Sequence, residues 1–168
     1  MLTFNFSKHK IEDSNGLMLD VGCGEGRHIF GVMESYPQMK CIGIDPHKDS
    51  LKKAEEGYEY FQSISDVGAE FMEASAYCLP FPDETFDLVV CSEVLEHLHE
   101  YMDAVKEIER VLKKGGKFYA SDTVTPPLPC FTAQMSAGVR PSRSQRMVLL
   151  TASWATTRAV SSGFSPLA

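Results

Sequence analysis

A short apolar run, Leu17-Met18-Leu19-Asp20-Val21, passes directly into three glycines on alternate positions, Gly22, Gly24 and Gly26. An apolar run of this length bounded by glycines reads as a buried parallel strand. The stretch LDVGCGEGRH thus confines the chain to folds built on a strand, a tight turn and a following helix. A nucleotide-type ligand lying against the turn would account for the missing side chains. A plain glycine turn joining two elements would do so equally, and a lone glycine cluster does not separate the two.

The rest of the chain repeats the alternation. Ile29, Phe30 and Met33 stand at helical spacing, and Tyr36-Pro37 closes that helix. Cys41 to Ile44 is a second strand ending at Asp45, with Pro46 suited to a first helical position after an Asp cap. Leu51, Ala54, Tyr58 and Phe61 mark the inner face of a second helix; Glu70 to Glu73 is a third strand and Phe86 to Cys91 a fourth. Met102, Val105, Ile108 and Val111 are read as one face of a further helix, which Lys113-Lys114-Gly115-Gly116 ends with cations and glycines. Lys117 to Ala120 is a fifth strand. Strands alternating with helices predict an α/β, Rossmann-like sheet, mostly parallel, with helices on both faces and right-handed crossovers.

Composition sets outer bounds. A chain of 168 residues with 43 % apolar and 23 % charged residues is large enough for one domain with a real core. The five cysteines (Cys23, Cys41, Cys78, Cys91, Cys130) are odd in number and form no CxxC, which predicts free thiols and a reducing, cytoplasmic setting. No apolar run reaches the roughly 20 residues of a membrane span, and MLTFNFSKHK has no continuous apolar core of a signal peptide. The net charge of −7 disfavours a nucleic-acid partner.

The charge is unevenly spread. All 23 acids lie at or before Asp122, whereas the remainder holds only Arg140, Arg143, Arg146 and Arg158 among charged residues and is rich in Ser, Thr, Ala and Pro. Three parts follow: an N-terminal segment 1–16, a core 17–122 and an atypical tail 123–168, read as a disordered or out-of-frame tail or a divergent terminus. Only Met147 to Leu150 resembles a strand there. The C-terminal antiparallel hairpin is expected to be missing or divergent. The fifth strand would then be an open edge inviting self-association, and the tail would be mobile and protease-sensitive.

In an open parallel sheet, ligands sit at the carboxyl ends of the strands. A dinucleotide fingerprint, G-x-G-x-x-G, would place its third glycine where this chain has Arg27, and no Gly-Lys-Ser/Thr follows for a P-loop. The pattern is G-x-G-x-G instead. Asp45, at the end of the second strand, is placed to accept from a ribose diol, with simple helix capping as the alternative and no conflict between them.

Four blocks carry a resemblance: LDVGCGEGRH, GIDP, LPFPDETFDLVVCSEVLEHL and EIERVLKKGGKFYASD. Together, over about residues 17–122, they resemble a class I S-adenosylmethionine-dependent methyltransferase of the small-molecule type. The resemblance implies that Asp20 and the loop Gly22, Cys23, Gly24, Gly26 hold the methionine end of S-adenosylmethionine, and that Asp45, beside Pro46, takes the ribose hydroxyls. It implies that Ser75 and Ala76 meet adenine, and that Cys91, Ser92 and Glu93 line the floor near the sulfonium. One position departs from the family pattern: Ser75 stands where an acid commonly accepts from the adenine amine. Glu73 is the nearest acid and stands two residues away from that position.

Methyl transfer from a sulfonium needs positioning and exclusion of water, and a general base only where the acceptor must lose a proton. His97 and Glu93 are the candidates, with His97 preferred because its ordinary pKa is near neutral and a structural histidine at a helix start as the alternative. Glu93, Glu96 and His97 also resemble a metal-binding cluster of some relatives, three residues that one helical turn would present together. The same string occurs in relatives without metal, and no metal is assigned. His28 and His99 are read as solvated surface residues. Two functions stand: transfer of a methyl group to a small-molecule acceptor, or a cofactor-binding but catalytically incomplete module. A dehydrogenase is disfavoured by Arg27.

Overall fold

A computed structural model describes residues 15–62 and 68–122, together with the backbone of 146–151. Six strands form one sheet: β1 (Leu17–Val21), β2 (Lys40–Asp45), β3 (Ala69–Glu73), β4 (Phe86–Ser92), β5 (Leu112–Asp122) and β6 (Arg146–Thr151). Their order across the sheet is β3-β2-β1-β4-β5-β6. The first five run parallel, and β6 is antiparallel to β5. The order reverses between β1 and β4, so the carboxyl ends of those two strands form the switch-point crevice.

Helices α1 (Arg27–Ser35), α2 (Lys48–Gln62) and α3 (Tyr101–Val111) cover the two faces. The period-2 alternation of strand side chains assigns each residue to a face. Met18, Cys41, Leu88, Val90 and Tyr119 pack with Ile29, Val32 and Met33 of α1 and Leu51 of α2. Leu19, Val21, Ile44, Val89, Cys91, Phe118 and Ala120 pack on the other face with Val105, Ile108 and Val111 of α3. Asp20, between Leu19 and Val21, therefore points to the α1 side.

The lower end of the sheet is tied by one carboxylate. Asp87 Oδ2 accepts from the Leu17 backbone N–H at 2.9 Å, and Lys113 Nζ reaches both of its oxygens at 2.8 and 2.9 Å. Burial raises the Asp87 pKa, but these donors outweigh it and hold the carboxyl below its ordinary value.

Three expectations are corrected. Met102 is 39 % exposed rather than inward, while Ala104 is buried beside Val105. Residues three apart advance about 300° around a helix, so Met102 and Val111 lie on opposite sides of α3. The segment Lys113–Gly116 does not end the helix: α3 stops at Val111, Leu112 already pairs with Phe86, and the register shift before Leu88↔Lys117 absorbs the glycines, with Gly115 at φ +81°. Third, the edge of β5 is not open. β6 pairs along it from Lys117↔Thr151 to Asp122↔Arg146, since the β-prone run in that stretch supplies ladder partners for the unpaired N–H and C=O groups. Self-association through that edge loses its basis. The rest of the tail, with its expected mobility and protease sensitivity, lies outside the described residues.

Candidate active site

The three loop glycines have different reasons to be glycine. All adopt left-handed backbone, with φ +71° at Gly22, +54° at Gly24 and +80° at Gly26, a region other residues enter at a cost. A Cβ on Gly22 would lie 2.4 Å from Val94 Cγ2, and one on Gly26 3.1 Å from the Phe30 ring. A Cβ on Gly24 would meet none of the described residues within 4 Å. Gly22 and Gly26 therefore satisfy packing inside the protein, while Gly24 faces open space. Gly43 of β2 is a fourth required glycine, since its Cβ would come within 2.9 Å of Ile29, Cys23 and Phe71. It lets α1 and the loop sit low on the sheet.

The loop is pinned to β2. The N–H groups of Gly22 and Cys23 donate to the Ile44 carbonyl at 2.8 and 2.9 Å. The Gly24 N–H donates to Asp45 Oδ2 at 2.9 Å, and the His47 N–H to Oδ1 at 2.8 Å, with the His47 ring Nδ1 3.1 Å from the same oxygen. Asp45 thus caps the entry to α2 and ties the loop down. A carboxylate has about four lone-pair sites, so Oδ2 keeps one acceptor position, and the His47 ring, 79 % exposed, is free to turn from Oδ1.

Asp20 is the most unusual group of the site. Its carboxylate is 1 % exposed, and among the described residues neither oxygen has a hydrogen-bond partner. Burial, with the nearby Asp45 charge in second place, pushes its pKa up to about 7. His28, read from the sequence as surface, is instead buried, with Nδ1 3.9 Å from Asp20 Oδ2. Burial, then the Arg27 charge, lowers its pKa to about 4, so the imidazole is neutral at pH 7. Its spacing could have revealed this: His28 lies one turn before Val32 on the inner stripe of α1. Burial raises the thiols of Cys23, Cys41 and Cys91 with Asp20 as a further cause, Cys41 to about 12; they are protonated and unreactive.

On the far side of the switch point, the Cys91 side chain is fully buried in the core, which leaves only its main chain to line a floor. Ser92 Oγ lies 2.7 Å from Ser121 Oγ, both hydroxyls buried. Glu93 follows at φ +57°, an uncommon conformation for a side-chain-bearing residue, its N–H donating to the Ser121 carbonyl at 3.1 Å. Leu95–His97 form a 3₁₀ turn that buries Leu95 and leaves His97 and Glu93 exposed and Glu96 half-buried. Glu93 stands before this turn, so the three residues do not share one helical turn. Among the described residues, no three His, Cys, Asp or Glu are grouped to hold a metal ion.

Beyond β3, Ser75 is exposed and its Oγ accepts from the Tyr77 N–H at 3.2 Å, leaving a second lone pair for another donor. Ala76 is half-buried on the core, Pro46 is exposed, and Glu73 points away from this segment to Lys48 at 3.2 Å. His99 is solvated as expected. The structure therefore brings Asp20, the glycine loop and Asp45 together at the carboxyl ends of β1 and β2. Ser75–Ala76 lie past β3, and Glu93–His97 past β4.

Comparison with known proteins identifies the family. A family model described as a methyltransferase domain matches residues 19–120. An uncharacterised methyltransferase of Schizosaccharomyces pombe is 39 % identical over 59 % of this chain and 37 % of its own. The demethylmenaquinone methyltransferase of Lactococcus lactis is 36 % identical over 73 % and 48 %. The crystal structure of the Bacillus subtilis YcgJ protein superposes with a TM-score of 0.57 at 30 % identity, covering 66 % of this chain and 45 % of that one. The chain spans less than half the length of the curated relatives it matches. The matched stretch runs from within β1 to within β5, and by it the chain belongs to the class I S-adenosylmethionine-dependent methyltransferases.

Proposed function

We propose that this protein binds S-adenosylmethionine at the carboxyl ends of β1 and β2 and transfers its methyl group to a small-molecule acceptor. The observation that carries the reading is Asp20, a buried carboxylate with no hydrogen-bond partner among the described residues, beside a loop whose middle glycine meets none of them within 4 Å of its Cβ. Leaving such a group unmatched is costly, and the α-ammonium of a methionine moiety is a cation of the right kind to satisfy it. The donor set fits the rest of the molecule. Asp45 has acceptor capacity for a ribose hydroxyl, and Ser75 and the Ala76 main chain offer polar groups to adenine.

The bound cofactor supplies an activated methyl group on a sulfonium. What the chain contributes is position and dryness. The low seat of the glycine loop brings its backbone close to the ligand, and the Cys91–Ser92 floor keeps its thiol protonated in the core and its hydroxyl hydrogen-bonded with that of Ser121. His97 and Glu93 are assigned to the acceptor side, with His97 taking the proton of an acceptor that must lose one. The relatives named demethylmenaquinone methyltransferase make a demethylated quinone the first acceptor to try. The setting is cytoplasmic, consistent with free thiols at all four described cysteines. Among the described residues, no helix is long and apolar enough to cross a membrane.

Titration calorimetry with S-adenosylmethionine and S-adenosylhomocysteine, then transfer of labelled methyl groups, tests both halves of the proposal. Absence of binding sinks it. Binding without turnover on any acceptor favours the second reading, a cofactor-binding module.

A further inference from the structure

The segment assigned to adenine is an exposed turn with little of its own to hold it. Ser75 and Cys78 form an isolated bridge, with the Cys78 N–H donating to the Ser75 carbonyl at 3.1 Å. The next residues, Leu79 to Phe81, lie outside the named strands of the sheet. Besides one bond of its own, from the Phe81 N–H to the Leu79 carbonyl at 2.8 Å, their main chain is held by side chains of α3. The Leu79 N–H donates to Glu107 Oε2 at 2.8 Å, and Arg110 Nη2 donates to the Leu79 carbonyl at 2.9 Å. One ion pair thus takes both polar groups of Leu79, as a neighbouring strand would.

The guanidinium is fully committed. Nε and Nη2 donate to Glu107 Oε1 and Oε2, each at 2.8 Å. Nη1 donates to the Phe81 carbonyl at 2.7 Å and to Asp83 Oδ1 at 2.9 Å. With the bond to Leu79, every N–H of the planar fork has an acceptor. The ion pair stabilises the charged forms, Glu107 lowered and Arg110 raised from their ordinary values. Lysine, a point charge on a flexible stem, cannot reproduce two carbonyls and two carboxylates at once. The Leu79 side chain is 3 % exposed, and Phe81 meets Phe86 edge-on at 4.9 Å, so the held segment is also packed.

We propose that Glu107 and Arg110 are positioning residues for base recognition: by fixing the main chain of Leu79–Phe81, they set the direction in which Ser75 and Ala76 present their polar groups to adenine. This inference rests on the proposed cofactor. Neither residue touches the ligand; they act through the chain between.

The test compares two ligands on the full chain and on two variants, Arg110→Lys and Glu107→Gln. S-adenosylhomocysteine carries adenine; its inosine analogue replaces the exocyclic amine with oxygen and reverses the donor pattern of that edge. The parent is expected to prefer adenine by about tenfold or more, the worth of a well-made hydrogen bond. Each variant, folded by circular dichroism, should reduce that preference to within about threefold, chiefly by weakening the adenine ligand. A structural support alone would weaken both ligands in proportion and leave the ratio unchanged, which would overturn the inference. Should Arg110→Lys fail to fold, Glu107→Gln decides on the same ratio, because its amide oxygen can still accept from Leu79. A parent that binds both ligands equally overturns the inference and leaves the cofactor assignment standing. A parent that binds neither removes both.

Discussion

Replacing Asp20 with Asn removes a charge that the folded protein is poorly built to hold. Burial pushes this carboxyl from an ordinary 3.8 to about 7. A group whose pKa is raised by folding has its full stabilising effect below the unfolded value and loses it as pH climbs through the folded one. At about 1.4 kcal/mol for each tenfold, the penalty grows from near zero at pH 3 to about 4 kcal/mol above pH 7. His28 works in the opposite direction. Its pKa falls to about 4 on folding, so its contribution is lost as pH drops from the ordinary histidine value toward 4. The parent's own curve is therefore flattened between the two, and the informative quantity is the variant minus the parent.

Buried Asn adds a roughly constant cost of about 1–3 kcal/mol for amide hydrogens without partners. The difference should nevertheless move in the variant's favour by about 3 kcal/mol between pH 5 and pH 8, or about 5–10 °C in melting temperature for a chain of this size. Urea unfolding at both pH values reads it directly. Parallel curves for parent and variant would refute the account, because they would mean that Asp20 is ionised or solvated at both. A second arm uses S-adenosylhomocysteine near pH 6: an ammonium facing Asp20 should expel close to one proton on binding. Calorimetry in buffers of different ionisation enthalpy should show it in the parent and not in Asp20→Asn.

Gly24→Val should abolish cofactor binding by calorimetry and also lower the melting temperature, because among the described residues nothing lies within 4 Å of its Cβ but φ +54° strains a β-branched residue. Gly22→Ala, by contrast, drives a Cβ into Val94 and should lower the melting temperature. Ser75→Asp should tighten S-adenosylhomocysteine binding a few-fold, about 1 kcal/mol for a charge-assisted bond; weaker or unchanged binding would remove Ser75 from the adenine edge. Asp87→Ala should cost about 1–3 kcal/mol in urea unfolding with cofactor affinity unchanged, because its partners Leu17 and Lys113 sit at the opposite end of the sheet. His97→Ala should lower kcat on a hydroxyl acceptor and leave cofactor affinity untouched.

Much of this was legible in the chain because the relevant signals are local. Apolar runs bounded by Gly22, Asp45 and Ser92 identify strands and their carboxyl ends without any tertiary information. Asp20 and Asp45 follow from being the last polar residues of those strands. What stayed hidden depends on contacts distant in sequence or on the fine angle of a helix. His28 is polar at a helix start, which looks like solvent, yet one turn separates it from Val32 on the buried stripe. Met102 matched a three-residue spacing that drifts around the helix. The role of Arg110 needs Leu79 and Phe81, whose positions relative to α3 no periodicity encodes. The pairing of β6 on β5 was missed because charge and composition mark the tail as foreign, while four apolar residues suffice to form a ladder.

The strand order has a consequence for how the protein is made. Central β1 pairs on one side with β2, about 20 residues on, and on the other with β4, where Leu19 meets Val89. A ribosome adding about 5–20 residues per second therefore leaves one edge of β1 unpaired for several seconds after β2 has been synthesised. During that interval the nascent half-sheet offers the main chain of Met18 to Asp20 to any extended chain nearby, including the same segment on the next ribosome of the message. Synonymous codons that slow translation between β3 and β4 should lower soluble yield without altering a single residue, whereas the same slowing after β5 should not.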